Sequence, residues 1–240
     1  GRAAKLNPEP PRNMSNTLKR LTVLTLSPLA AALFHSPLHA EQDTADAPPP
    51  SPLSANLGLA SSYRFRGLDQ TFGKPAVQGG FDYAHASGFY AGNWNSNVSS
   101  GAGYPEGSLE MDFYGGYKTT VGDVGLDVGA LYYAYPGTHL DNAYAGVNRR
   151  HPASAANGGV DNGEVYVAGS WRVLTLKYAH AVTDYFSMPG TRGTGYLDLS
   201  ATHDFGNGYV LGAHLGRLLL RDFAYLNADG STYDGHYTDW

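Results

Sequence analysis

Residues 164–179 read EVYVAGSWRVLTLKYA, and the alternation of side chains in these residues indicates the fold class. Val165 and Val167 alternate with polar or small residues ahead of residues 172–173, and the alternation resumes at Leu174. A period of two places one set of side chains on each face of a β-strand. Because only two residues separate the two runs, the stretch predicts an antiparallel hairpin with one apolar face and one polar face.

The same alternation recurs along the chain and predicts nine strands, with a partial tenth beginning at Tyr237. We expect the first strand to cover residues 53–66, with Tyr63 on its apolar face and Arg64 and Arg66 on its polar face. Because burying unpaired charge is costly, a face with two arginines is not the dry core of a sandwich. The other eight segments cover residues 77–83, 90–95, 109–114, 124–130, 164–171, 174–179, 197–201 and 209–216.

Short and long connections take turns along the chain. The short ones fall at residues 86–88, 118–123, 172–173 and 206–208, and the long ones at 67–74, 97–107, 136–162, 187–194 and 221–236. Transmembrane β-barrels of the outer membrane have short turns at one end and long loops at the other. The pattern therefore predicts an all-β fold, an antiparallel up-and-down transmembrane β-barrel in the 53–240 region, and the alternative is a secreted β-sandwich or lectin-like domain.

Aromatic residues support the barrel interpretation because they cluster near the predicted strand ends, as two interfacial girdles would require. Trp171, Phe205 and Tyr209 are examples. In the segment 90–95, the alternation of residues assigns Trp94 to the apolar face.

Composition and charge narrow the remaining classes. The chain has 31 Gly and 18 Tyr, no Cys, and only 15% charged residues, which disfavours a helical bundle, a disordered chain and a disulfide scaffold. Residues 14–40 have the basic start, apolar run and small-residue end of a signal peptide, after an upstream extension at residues 1–13. An acidic, Pro-rich tether follows at residues 41–52. The chain has 16 Lys and Arg residues and 21 Asp and Glu residues, and residues 1–40 contain five of the basic residues and one of the acidic ones. Removal of residues 1–40 on export would leave a net charge of −9. A chain with this negative charge is not expected to bind nucleic acid.

Several sequence motifs support the barrel interpretation in addition to the alternation of apolar and polar residues. YRFRG at residues 63–67, GKPAVQGGFDY at 73–83, GFYAG at 88–92, YYAYPG at 132–137 and YTDW at 237–240 are the most distinctive. Together they resemble the TorF-type family of porins, which are outer-membrane β-barrel proteins of proteobacteria. The resemblance runs from Leu53 to the end of the chain. It implies insertion into outer-membrane lipid by the outer-membrane assembly machinery of a Gram-negative cell, and transport of small hydrophilic solutes.

The family pattern continues beyond the Tyr-x-Asp-Trp element, whereas this sequence ends at Trp240. Single-chain bacterial barrels have an even number of strands and no open edge in lipid. We therefore expect a truncated barrel of about twelve strands.

Charged residues on the polar face give the candidate pore lining. These are Arg64, Arg66, Asp82, Glu110, Asp112, Asp127, Glu164, Lys177 and Asp198. An open, water-filled lumen with this excess of acids would mildly favour cations. The alternative is an interior filled by paired acids and bases, as in narrow barrels.

Other chemistry has little support in the sequence. His85, His180, His203 and His214 show neither metal-ligand spacing nor the spacing of a Ser-His-acid set, and the Gly-x-Gly runs precede no helix. We therefore expect a non-enzyme without metal or cofactor. The loop at residues 136–162 carries three consecutive basic or imidazole side chains and is interpreted as a constriction in the mouth, a binding site for a surface partner, or a mobile extracellular loop. The leading hypothesis is a porin-like passive channel in the outer membrane, and the alternative is a non-conducting barrel with a structural, binding or adhesion role.

Overall fold

The computed structural model describes residues 51–206 and 208–240, and this part of the chain is all-β. Its main feature is a ten-stranded antiparallel sheet in which each strand pairs with the next along the chain. The strands are β1 (Leu53–Ala60), β2 (Ala76–Ala84), β3 (Phe89–Asn97), β4 (Leu109–Val121), β5 (Val124–Ala134), β6 (Asp161–Trp171), β7 (Leu174–Ala181), β8 (Gly195–Asp204), β9 (Val210–Leu219) and β10 (Tyr237–Asp239). The expected all-β fold with antiparallel, up-and-down strand order is confirmed.

The two edges of this sheet are β1 and β10, and no ladder within the described ranges joins them. Only three residues of β10 pair with β9, from Gly216↔Asp239 to Leu218↔Tyr237. The proposed upstream extension, signal peptide and nearly all of the tether (residues 1–50) lie outside the described residues, as does Asn207.

The two ends of the sheet differ from each other in the length of the connections between strands. Two-residue turns join β4 to β5 and β6 to β7, with positive φ at Gly122 and Arg172. The opposite end carries three short hairpins and two 3₁₀ turns. The hairpins pair Arg64–Phe65 with Leu68–Asp69, Leu140–Ala143 with Ala156–Gly158, and Ala224–Leu226 with Thr232–Asp234, and the turns are Ser100–Ala102 and Tyr185–Ser187. Among the described residues, no helix is both long and apolar enough to cross a membrane.

The two faces of the sheet have opposite character. The apolar face is exposed, and its side chains include Leu57, Phe81, Phe113, Val128, Val167, Leu176, Leu199 and Leu215. The polar face is largely buried, and its side chains include Glu110, Asp112, Asn162 and Glu164. The sheet therefore buries its acidic side chains and exposes its leucines, which is the reverse of the usual arrangement in a soluble protein.

Curvature of the sheet explains why the polar face is buried. Tyr90 on β3 donates a hydrogen bond to Asp127 on β5 at 2.7 Å and also contacts the hydroxyl of Tyr166 on β6. Tyr196 on β8 likewise reaches Asp239 on β10 at 2.9 Å. Since these pairs bridge strands that are not neighbours, the polar face is the concave one.

Two expectations about individual strands are wrong. The first strand ends at Ala60 rather than at residue 66, because the chain then turns onto the polar face. On β3 the Trp94 side chain lies on the polar face, only 5% exposed, while Asn93 and Asn95 take the apolar face. The two asparagines donate there to the Asp112 and Gly79 carbonyls, at 2.9 and 3.3 Å.

Candidate functional site

Residues 61–75, which we name the inner segment, connect β1 to β2 and lie against the concave polar face. The segment reverses direction between Arg64–Phe65 and Leu68–Asp69, with positive φ at Arg66 and Gly67. Gly67 is required for a second reason, since a β-carbon there would lie 2.5 Å from Asp239 Cβ on β10.

A buried ion pair holds the tip of the inner segment. The Arg66 guanidinium donates to both oxygens of Glu164 on β6, at 2.8 and 2.7 Å, and the two residues are 7% and 3% exposed. Arg66 also donates to the Tyr185 hydroxyl at 3.1 Å and lies 4.3 Å from the centroid of the Tyr196 ring. Asn162 donates to Glu164 at 3.1 Å, so both charged groups have several partners.

Electrostatics keep the Arg66 charge in place. Burial by itself lowers the pKa of the guanidinium, but the Glu164 carboxylate next to it raises the pKa, which ends well above its usual range. Arg66 therefore stays charged inside the sheet, and its charge is compensated directly by Glu164.

The other end of the inner segment packs among aromatic rings and acids. Tyr63 is 1% exposed, donates to Glu110 Oε1 at 3.0 Å, and packs edge-on against Trp94 with centroids 5.5 Å apart. Tyr104 donates a hydrogen bond to Gln70 and stacks on Tyr135. These contacts join the segment to β3, β4 and the end of β5.

A second layer of polar contacts lies nearer the short turns. Tyr114 donates to Asp82 at 2.5 Å, and Lys177 lies 3.6 Å from the centroid of the Tyr166 ring. The Tyr166 ring covers Gly129, where a β-carbon would lie 2.5 Å from the Tyr166 hydroxyl oxygen. Glycine at this position therefore makes room for a tyrosine that crosses the concave face.

Eight of the nine predicted site residues lie on the concave face or reach it. Lys177 lies on β7, and Arg66 reaches the face from the inner segment. The other six are acidic side chains on strands, namely Asp82, Glu110, Asp112, Asp127, Glu164 and Asp198. The ninth, Arg64, points away, with its side chain 44% exposed and 3.8 Å from Asp69. The expectation that Arg64 and Arg66 share one strand face is wrong, because Arg66 turns the chain through a positive φ.

Sequence reasoning missed four residues that complete this network, namely Tyr63, Asn162, Tyr185 and Asp239. The interpretation of Tyr63 as an apolar-face residue is wrong, since it is buried against Glu110. Gly67 and Gly73, both with positive φ, were the available signal that the chain turns here instead of continuing as a strand.

The loop at residues 136–162 takes a different place from the inner segment. Asn148 is buried and donates to the Pro189 and Asp222 carbonyls, both at 3.1 Å. Arg150 pairs with Asp234 at 2.6 Å, and His151 lies 2.7 Å from Asp222. Arg150 and His151 therefore bind the neighbouring loops, whereas Arg66 of the inner segment binds the concave face.

Within the described part of the chain, no group of three or more His, Asp or Glu side chains is arranged to hold a metal ion. A family model described as "Bacterial protein of unknown function (Gcw_chp)" matches residues 44–240. No curated protein and no solved structure matches the chain.

Proposed function

The chain belongs to the Gcw_chp family of bacterial proteins of unknown function, and we propose that it is an outer-membrane β-barrel protein whose lumen is a passive channel for small hydrophilic solutes. In this proposal the ten-stranded sheet is wrapped around its polar face, and the apolar face contacts lipid. The inner segment closes the lumen in the conformation described above.

The observation that carries the proposal is the inverted distribution of side chains. Monomeric soluble proteins rarely expose a continuous apolar patch larger than a few hundred Å². Here every strand from β1 to β9 contributes exposed apolar side chains to one face, with Leu57 and Leu59 each 83% exposed. A bilayer covers such a face, while the polar face can remain hydrated or filled.

Exposed aromatic rings at the short-turn end give a second line of support. Phe89 and Tyr117 pack together with centroids 5.0 Å apart, next to the β2–β3 and β4–β5 turns. Trp171, Phe205 and Tyr209 stand beside the other two turns and are also exposed. Rings at this level suit the boundary between hydrocarbon and water.

The charges of the concave face would favour cations. Seven acids line it, namely the six strand acids named above and Asp239, and the bases that face them are Arg66, Lys118 and Lys177. Solutes could pass only after the inner segment moves, because Tyr63 and Arg66 occupy the middle of the network. The channel proposal therefore requires a closed and an open arrangement of residues 61–75.

A non-conducting barrel is the second candidate, and the Arg66–Glu164 pair favours it. Because both groups are buried and each makes at least three hydrogen bonds, moving the segment would break several charge-assisted hydrogen bonds at once. A permanently closed lumen would leave a structural or binding role for the protein.

Planar bilayer recordings distinguish the two candidates. We expect the wild-type chain to give rare, discrete conductance steps with a modest cation preference, and Arg66→Met to raise the open probability because it leaves Glu164 buried without its partner. The matched control is the double variant Arg66→Met/Glu164→Gln, which removes the stranded charge and should return to rare openings. Silence of all three proteins, with folding verified by heat-dependent gel mobility, would contradict the channel and favour the non-conducting barrel.

A further inference from the structure

A cleft of about 520 Å³ lies at the long-loop end of the sheet, where the apolar face meets the loops. Tyr178 and Leu219, both exposed on the apolar face, form one side of it with Gly195 between them. The other side is formed by Arg150 and by residues from the connection between β9 and β10, namely Arg221, Asp222, Asp234 and His236. The cleft thus combines an apolar wall continuous with the sheet and a polar wall built from loops.

We propose that this cleft binds the anionic headgroup of a membrane lipid, with the phosphate at Arg221 and the acyl chains along the apolar face. The proposal rests on the membrane location argued above, and adds a ligand site outside the lumen.

Arg221 supplies the free positive charge. The neighbouring Arg150 is already committed, since its guanidinium lies 2.6 Å from Asp234 and 4.0 Å from Asp222. Within residues 51–206 and 208–240, no carboxylate lies within ion-pair distance of the Arg221 guanidinium. A guanidinium without a carboxylate partner is a suitable donor for the oxygens of a phosphate group.

The backbone around Arg221 holds its side chain over the cleft. Its amide donates to Thr194 Oγ1 at 3.0 Å, and a β-carbon at Gly193 would lie 3.4 Å from Arg221 Cδ. His236 is fixed in turn, because its Nε2 donates to the Leu220 carbonyl at 3.0 Å. The charged wall is therefore built by specific contacts between two loops.

The apolar wall distinguishes a lipid from free phosphate. Gly195 has no side chain, and the Tyr178 ring lies over it, since a β-carbon there would be 2.8 Å from the Tyr178 hydroxyl oxygen. Farther from the loops, Leu197 and Leu215 continue the same exposed face, and Arg217, which donates to Thr238 Oγ1 at 2.9 Å, lies beside Leu197. An acyl chain leaving the headgroup would lie on these leucines, whereas inorganic phosphate would gain only the contact with Arg221.

The test measures binding to the full chain in a neutral detergent by isothermal titration calorimetry. The probes are dioctanoyl phosphatidic acid, dioctanoyl phosphatidylcholine and inorganic phosphate. We expect phosphatidic acid to bind at least tenfold more tightly than either of the other two. Arg221→Gln should weaken phosphatidic acid binding about tenfold, as loss of a charge-assisted contact does.

The matched control is Arg172→Gln, which removes a positive charge at the β6–β7 turn, at the opposite end of the sheet. This variant should bind phosphatidic acid like the wild type. Equal losses in Arg221→Gln and Arg172→Gln would overturn the proposal, and so would equal affinities for phosphatidic acid and inorganic phosphate. Specific lipid binding by a chain that is silent in bilayers would support this site and contradict the channel, while channels without lipid binding would contradict this site alone.

Discussion

The buried pair between Arg66 and Glu164 makes a quantitative prediction about stability. Arg66→Met removes two hydrogen bonds to Glu164, of 2.8 and 2.7 Å, and one to Tyr185 of 3.1 Å. It leaves the Glu164 carboxylate 3% exposed, with Asn162 and the Tyr133 hydroxyl as partners at 3.1 and 3.4 Å. An uncompensated charge of this kind costs about 3–5 kcal/mol.

The reciprocal variant, Glu164→Gln, leaves the guanidinium without its counter-charge and should cost a similar amount. The double variant Arg66→Met/Glu164→Gln contains no buried charge. Because replacing a whole buried pair by neutral groups is often nearly neutral, it should lose no more than about 2 kcal/mol. The double variant should therefore be more stable than either single variant.

Urea unfolding in detergent micelles, followed by tryptophan fluorescence, gives these free energies. Trp94 is a suitable reporter because it is buried and packs on Tyr63 of the inner segment. If the two single losses simply add in the double variant, or if each single loss stays below about 1 kcal/mol, the pair does not hold the segment and the reasoning is refuted.

Two further predictions concern a strand glycine and a loop ion pair. Gly129→Val should destabilise the fold by about 1–3 kcal/mol because it displaces the Tyr166 ring. The control is Gly212→Val on β9, where no atom lies within 4 Å of the β-carbon position, and it should change the free energy of unfolding by less than about 0.5 kcal/mol. Equal effects of the two variants in urea unfolding would contradict this prediction. The hydrogen bond from Arg150 holds the pKa of Asp234 below its ordinary range, so the stabilisation from this pair is present above the ordinary aspartate pKa and is lost as pH falls through the lowered one. Carboxyl ¹³C titration should show the Asp234 midpoint rising in Arg150→Gln, and an unchanged midpoint would mean that Arg150 does not control it.

The strands could be predicted because a period of two is a local property of the sequence. Pairing in chain order then follows from the short turns, such as the one between Val121 and Val124. The inner segment could not be predicted in this way. Residues 61–66 alternate as well as a true strand does, but their conformation depends on contacts with distant residues, such as Tyr63 with Glu110. A periodicity argument contains no information on such contacts.

The face of β3 was mispredicted for a related reason. Tryptophan is amphipathic, so Trp94 suits an apolar face in isolation, but the edge-on contact with Tyr63 stabilises it on the concave face. The acids of the candidate site were predictable as a set, since each alternates with apolar neighbours. Their partners were not, because Asn162, Tyr185 and Asp239 are identified only by the position of Arg66 and Tyr196.

Lipid contact at the apolar face can be measured directly by single-cysteine labelling, because the chain contains no cysteine. A fluorophore would be attached to one cysteine at a time, in Val167→Cys or Leu199→Cys on the apolar face and in Ala168→Cys or Ser200→Cys on the concave face. The proteins would be reconstituted into vesicles that contain brominated lipid. We predict strong quenching by brominated lipid at Val167 and Leu199 and little at Ala168 and Ser200. Equal quenching at all four positions, or quenching of the Val167 and Leu199 labels by aqueous iodide instead, would contradict the account.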